Sequence, residues 1–161
     1  MTETRALDHT IVIAAPPQTV WAMISDLTRM AEWSPHSAGA RMGGLGAAPE
    51  AGVRFTGRNR NRWHRWNTRC TVVASVPERE IAWTACFFGF STGYWHYRLE
   101  PSDDGCSTTV TESWRDLRTS PLLQFAPLVR AVTGTTDVVA EVDRSIRMTL
   151  QELKAAAERS S

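Results

Sequence analysis

No apolar stretch in this sequence approaches the roughly 18 residues that a membrane span needs. The N-terminus, Met1 to Asp8, is polar and has no apolar core of a signal peptide. Cysteine is scarce: Cys70, Cys86 and Cys106 form no C-x-x-C pair, and an odd count suits no disulfide framework. These features place the chain in a reducing cytoplasm. Lys154 is the only lysine, so the basic residues are almost all arginine, which reads first as a compositional bias and second as phosphate recognition. A formal net charge of +1 is too small to imply a nucleic-acid or membrane-surface partner by itself. No repeat, low-complexity tract or interdomain linker is present, so residues 1–161 read as one domain. A chain of this size buries roughly 68–70% of its unfolded surface, enough to fold without disulfide or metal.

The remaining signals are periodic. Ile11-Val12-Ile13 is a β-branched run that favours a strand, stopped by Pro16-Pro17, where proline suits a helix N-terminus. Val20, Trp21 and Ile24 recur at helical spacing, and a second short helix is expected around Met30-Ala31-Glu32-Trp33, ending at Ser34-Pro35. From Ala38 to Pro49 the chain reads as a weak strand and a loop. After Gly52 the period becomes two. Val53, Phe55, Gly57 and Asn59 alternate with Arg54, Thr56, Arg58 and Arg60, and Trp66, Thr68, Cys70, Val72 and Ala74 alternate with polar neighbours. A turn at Asn61 to His64 sets Phe55 against Cys70 and Gly57 against Thr68. Ile81, Trp83, Ala85 and Phe87 continue the pattern, then Trp95, Tyr97 and Leu99. A turn at Ser102-Asp103-Asp104-Gly105 follows, which pairs Tyr97 with Val110 and Trp95 with Glu112. The result is a meander of about five strands with one apolar face. In the last third, Val139, Val142, Ile146, Leu150, Leu153 and Ala157 form an apolar helical stripe. An apolar segment, Pro121 to Val132, precedes it, with a break expected at Thr133-Gly134-Thr135-Thr136.

Thr10-Ile11-Val12-Ile13-Ala14-Ala15-Pro16, Val20-Trp21 and Ser25-Asp26-Leu27 through Glu32-Trp33-Ser34-Pro35 resemble the N-terminal signature of the START-like (SRPBCC) superfamily. Trp95-His96-Tyr97-Arg98-Leu99-Glu100-Pro101, Gly105, Val110-Thr111-Glu112-Ser113-Trp114 and Thr149-Leu150-Gln151-Glu152-Leu153-Lys154 also resemble its polyketide cyclase/dehydrase and lipid-transport group. The resemblance implies an α+β helix-grip (START/Bet v 1-like) fold. In it a curved antiparallel sheet wraps a long C-terminal helix, with two short helices after the first strand. It also implies an internal cavity, because a strongly bent sheet cannot touch one straight helix along its whole length. It does not identify a reaction.

The inward face supplies the expected ligand-binding set: Phe55, Gly57, Cys70, Val72, Trp83, Phe87, Trp95, Tyr97, Val110 and Glu112, faced by Val142 and Ile146. Gly57 is expected to leave room opposite Thr68. Glu112 is the one carboxylate placed inside, where it must be paired, hydrogen-bonded or neutral. It is the candidate acid/base, with Tyr97, His96 and Arg54 as further polar candidates. Binding of a small hydrophobic, lipid-like or aromatic molecule is the leading reading, without a cofactor. The alternatives are a polyketide cyclase or aromatase-type enzyme and a ribosome- or RNA-associated protein. The last rests on Arg58, Arg60, Arg62, Arg65 and Arg69, which fall in twelve residues without an acid, interleaved with Trp63 and Trp66, and suit an anionic or RNA partner. Oligomeric state stays open.

Three motifs carry less. Gly89-Phe90-Ser91-Thr92-Gly93 spells the G-x-S-x-G nucleophile elbow, but it joins two strands where the elbow needs a strand-to-helix turn. His9, His36, His64 and His96 stand apart, so no metal site is expected. Met42-Gly43-Gly44-Leu45-Gly46 contains fragments of a dinucleotide loop outside any strand–helix context and reads as a connection.

Overall fold

The computed structural model describes residues 5–43 and 49–161. β1 (Ala6–Ile13) leads into α1 (Pro17–Ile24), which begins with Pro17 in its first turn and ends where the Ser25 hydroxyl donates to Trp21 O at 2.7 Å. A 3-10 helix, Leu27–Glu32, is capped by Asp26, whose carboxylate accepts from Thr28 N. β2 (Ser37–Met42) precedes the meander β3 (Arg54–Asn61), β4 (His64–Val76), β5 (Glu80–Phe87), β6 (Phe90–Pro101) and β7 (Thr108–Asp116). Two short helices, α2 (Pro121–Gln124) and α3 (Ala126–Thr133), end at left-handed Gly134, the expected break. The long α4 (Val138–Arg159) follows, its first turn capped by Asp137. The expected loop of residues 42–46 lies mostly outside the described residues.

The seven strands form one antiparallel sheet in the order β1-β7-β6-β5-β4-β3-β2, curved around the helices. Phe55 pairs with Cys70 and Gly57 with Thr68, as the hairpin at Asn61 to His64 requires. Between β6 and β7 the register differs from expectation by two residues: Tyr97 faces Glu112, Leu99 faces Val110 and Trp95 faces Trp114. The loop spans two more residues than expected. Ser102 N donates to Ser107 O, Ser107 N donates to Ser102 Oγ, and the Asp104 carboxylate accepts from Cys106 N, so Cys106 and Ser107 are held in the loop. A slip of two preserves which face each side chain occupies. Ala74 does change face. An irregularity between Val72 and Ala74 opposes Ala74 to Ala82 and puts Ser75, not Ala74, opposite inward Ile81.

The core joins α1, the 3-10 helix and the buried face of α4 (Ile146, Leu150, Leu153, Ala157) to Ile13, Val72, Ile81 and Val110 of the sheet. Polar contacts fix α4 to β1. Lys154 Nζ donates to Val12 O at 2.8 Å, Ala14 N donates to Glu158 at 2.8 Å, and His9 Nε2 meets Asp143 at 2.7 Å. The close contacts of α4 are thus with β1 and β7, at one side of the sheet. No helix among the described residues is long and apolar enough to cross a membrane.

Trp33 follows the 3-10 helix, is 2% exposed and lies in the main core beneath the Arg29 guanidinium. Trp33→Ala is expected to cost about 3–5 kcal/mol, read by chemical denaturation. A loss below about 1 kcal/mol would show that the indole is not part of the core.

Candidate functional site

Because α4 leans on β1 and β7, the concave surface of β3 to β6 meets no long helix. A cavity of about 240 Å³ lies there. The aromatic side chains of alternate strand positions form its wall. Phe55 meets Trp83 edge-on at 6.2 Å between ring centroids, Trp83 stacks on Tyr97 at 5.9 Å, and Trp95 lies 6.3 Å from Trp114. Gly93 makes the last of these possible: a Cβ there would sit 2.6 Å from Trp114 Nε1.

Nine of the twelve expected binding residues line the cavity: Phe55, Gly57, Cys70, Trp83, Phe87, Trp95, Tyr97, Glu112 and Val142. Val72, Val110 and Ile146 share the concave side but are packed solidly into the core, each 1% exposed or less, and do not reach it. Gly57 does not open a space opposite Thr68. A Cβ there would already stand 3.0 Å from Thr68 Oγ1 and 3.4 Å from Cys70 Sγ, so the glycine admits these side chains. With Asn59 Nδ2, 3.2 Å from Thr68 Oγ1, they form a small polar patch on one wall.

The α2–α3 segment was legible only as an apolar stretch, yet Leu122, Leu123, Leu128, Val129 and Val132 cover the cavity. α3 is apolar but has no buried residue, since its apolar side faces a void, and its spacing alone does not name what it covers. Trp114 and Trp66, both legible as strand residues, also line it.

Glu112 is 2% exposed, and its Oε2 has no hydrogen-bond partner among the described residues. Burial raises its carboxyl from an ordinary 4.5 to about 8, with the neighbouring Tyr97 hydroxyl opposing the shift. Burial, then the nearby Glu112 charge, holds the Tyr97 phenol well above its usual value. At neutral pH this pair therefore presents two uncharged O–H groups to an apolar space. Such groups suit a ligand hydroxyl or carbonyl, and Glu112 can give up and regain a proton near pH 8.

The other polar candidates lie elsewhere. Arg54 and His96 have the opposite parity to Phe55 and Tyr97 and sit on the outer face, where His96 Nε2 meets Glu80 at 2.8 Å. Ser91 is an exposed β6 residue beyond a two-residue hairpin turn, Phe88-Gly89, with positive φ at both positions. No strand-to-helix turn exists there for a nucleophile. Among the described residues no three His, Cys, Asp or Glu side chains gather. Of the arginine cluster, Arg58 donates to Ala38 O, Arg60 to Pro35 O and Arg65 to Arg62 O, so three of the five guanidiniums brace their own backbone.

Residues 4–158 match the family described as polyketide cyclase/dehydrase and lipid transport. No curated protein matches the chain. Among solved structures, a polyketide-cyclase-like protein of Corynebacterium glutamicum is 27% identical. The match covers 99% of this chain and 92% of that one, with a TM-score of 0.59. A START superfamily protein of Mycobacterium smegmatis (13% identity, 97% and 99% covered, TM-score 0.69) shares the fold. So does the Zhui aromatase/cyclase of a Streptomyces species (18%, 98% and 95%, TM-score 0.67).

The raised Glu112 value has a consequence for stability. The carboxyl stays protonated in the folded chain up to about pH 8 but ionises near 4.5 when unfolded, so folding takes up a proton between these values. This contribution is fully present below pH 4.5 and is lost as pH rises toward 8, by at most about 1.4 kcal/mol per unit. Glu112→Gln cannot titrate. Denaturation at pH 5 and pH 8 should therefore show the variant gaining on the wild type as pH rises. A difference independent of pH would mean that Glu112 is charged when folded.

Proposed function

This chain belongs to the polyketide cyclase/dehydrase and lipid-transport family, and we propose that it binds a small apolar, one- or two-ring molecule through a hydroxyl or carbonyl group. The observation that carries this reading is the unpartnered Oε2 of the Glu112 carboxyl, buried within the wall of an aromatic cavity. A buried polar atom without a partner costs free energy, and a ligand oxygen that Oε2 reaches by a turn of the Glu112 side chain would remove that cost. Size supports the ring count. A cavity of about 150 Å³ admits benzene, so about 240 Å³ suits roughly a bicyclic aromatic body. Trp83, Trp95 and Tyr97 offer ring faces and edges for offset or edge-on packing.

A second reading draws on the same carboxyl. With a value of about 8, Glu112 is able to act as a general acid and then accept a proton back, as an aldol closure or water loss requires. Binding is the primary reading because the one side chain among the described residues that hydrogen-bonds the Glu112 carboxyl is the high-valued Tyr97.

Calorimetric titration with 2-naphthol and with naphthalene tests the proposal. The naphthol is expected to bind about tenfold more tightly, the worth of one hydrogen bond to a buried group. Val142→Trp, which fills the cavity from α4, should abolish binding of both while the protein stays folded. Equal affinity for the two compounds would remove Glu112 from the reading, and undiminished binding by the Val142→Trp protein would place the ligand elsewhere. Native mass spectrometry of freshly purified protein identifies any molecule carried from the cell.

A further inference from the structure

Beside the apolar cavity lies a second, wholly different space of about 600 Å³, lined by Pro35, His36, Arg60, Asn61, Arg62, Gly134, Glu141, Arg144 and Ser145 among others. His36 and Ser145 line both spaces, so the cavity and the groove lie on either side of these two residues. The groove is formed where three distant segments converge: the turn after the 3-10 helix, the tip of the β3–β4 hairpin and the first two turns of α4. Asn61 Nδ2 fastens the hairpin to the end of α3 by donating to Thr133 O at 2.8 Å.

Its charge is unbalanced. Three guanidiniums, Arg60, Arg62 and Arg144, face one carboxylate, Glu141. Glu141 is divided between His36 Nε2 at 2.9 Å and Arg144 Nη1 at 3.1 Å. Burial holds His36 below its usual value, with Glu141 only partly restoring it, so the imidazole adds little charge at neutral pH. Arg60 keeps its place by donating to Pro35 O at 3.0 Å and Ala31 O at 3.5 Å. Arg62 makes no ion pair among the described residues and stands at a left-handed turn position, φ 54°, beside the groove. A half-enclosed groove with an excess of guanidiniums attracts an anion and can hold it bidentately.

We infer that the natural ligand is amphipathic: its apolar body occupies the aromatic cavity and a carboxylate or phosphate end extends past His36 into the Arg60–Arg62–Arg144 groove. This inference rests on the cavity-binding reading and adds the chemical class of the ligand's second end. The arginines of the hairpin thus serve a small anion at the mouth of the cavity.

Three naphthalene probes test it by calorimetry: 4-(2-naphthyl)butanoate, its neutral methyl ester, and 4-(2-naphthyl)butyl phosphate. The carboxylate or the phosphate should bind about five- to tenfold more tightly than the ester, and added salt should shrink that advantage. The tighter of the two identifies the end group. In an Arg62→Gln, Arg144→Gln double variant, both of whose side chains are exposed, the advantage should collapse while the ester's affinity holds. Arg60 is left intact because it braces the backbone. Anionic probes that bind no better than the ester, or an advantage that survives the double variant, overturn the inference and leave the cavity reading standing. An ester that does not bind to the folded wild type overturns the cavity reading itself.

Discussion

A straight helix 22 residues long cannot follow a sheet of seven curved strands, and the structure is organised by how that mismatch is shared out. α4 spends its apolar stripe on β1, β7 and α1, where Lys154, Glu158 and Asp143 fasten it to the edge strand β1. The middle of the sheet is left facing a space covered by the short α2–α3 segment, the 3-10 helix and the first turns of α4. Had α4 been centred on β5, the aromatic residues of β3 to β6 would pack against Val142 and Ile146, and no cavity of this size would remain. The packing that stabilises one side of the molecule therefore creates the void on the other.

That void sets the electrostatics of the site. Glu112 is carried inward by strand parity alone, into surroundings of tryptophan and tyrosine rings with no cation beside it. The cost of an isolated buried charge is avoided by holding the proton. A strand carboxylate that would be an anion in water becomes a neutral donor and acceptor paired with Tyr97. The contrast with Glu141 is instructive. Glu141 stands one helical turn before the buried Ser145 of α4, yet His36 and Arg144 flank it, so its charge is shared rather than suppressed.

Much of this architecture can be read from the order of residues, for a definite physical reason. A strand's side chains alternate with period two, so Phe55, Trp83, Trp95, Tyr97 and Glu112 share a face whichever even register the strands adopt. The six-residue loop shifted β6 against β7 by two and left every one of them inward. An irregularity shifts by one, which is why Ala74 and the Ser75 after it exchanged sides. The helical stripe of α4 and the proline and aspartate starts of the early helices are equally local.

Distinguishing a residue that is merely buried from one that touches the void is not a local property. Val72 and Val110 have the same parity and apolar character as their cavity-lining neighbours, and Ile146 lies on the same α4 stripe as Val142, yet all three are enclosed in the core. Leu128, Val129 and Val132 line the void because α3 turns back across β4, and nothing in their spacing names β4 as the partner. The groove draws on residues 35, 60–62 and 134–148, which are distant in the chain and meet only once the sheet has curved. Periodicity determines the face a side chain occupies. What it faces depends on contacts between elements far apart in sequence, and those are settled by the closure of the curved sheet around α4.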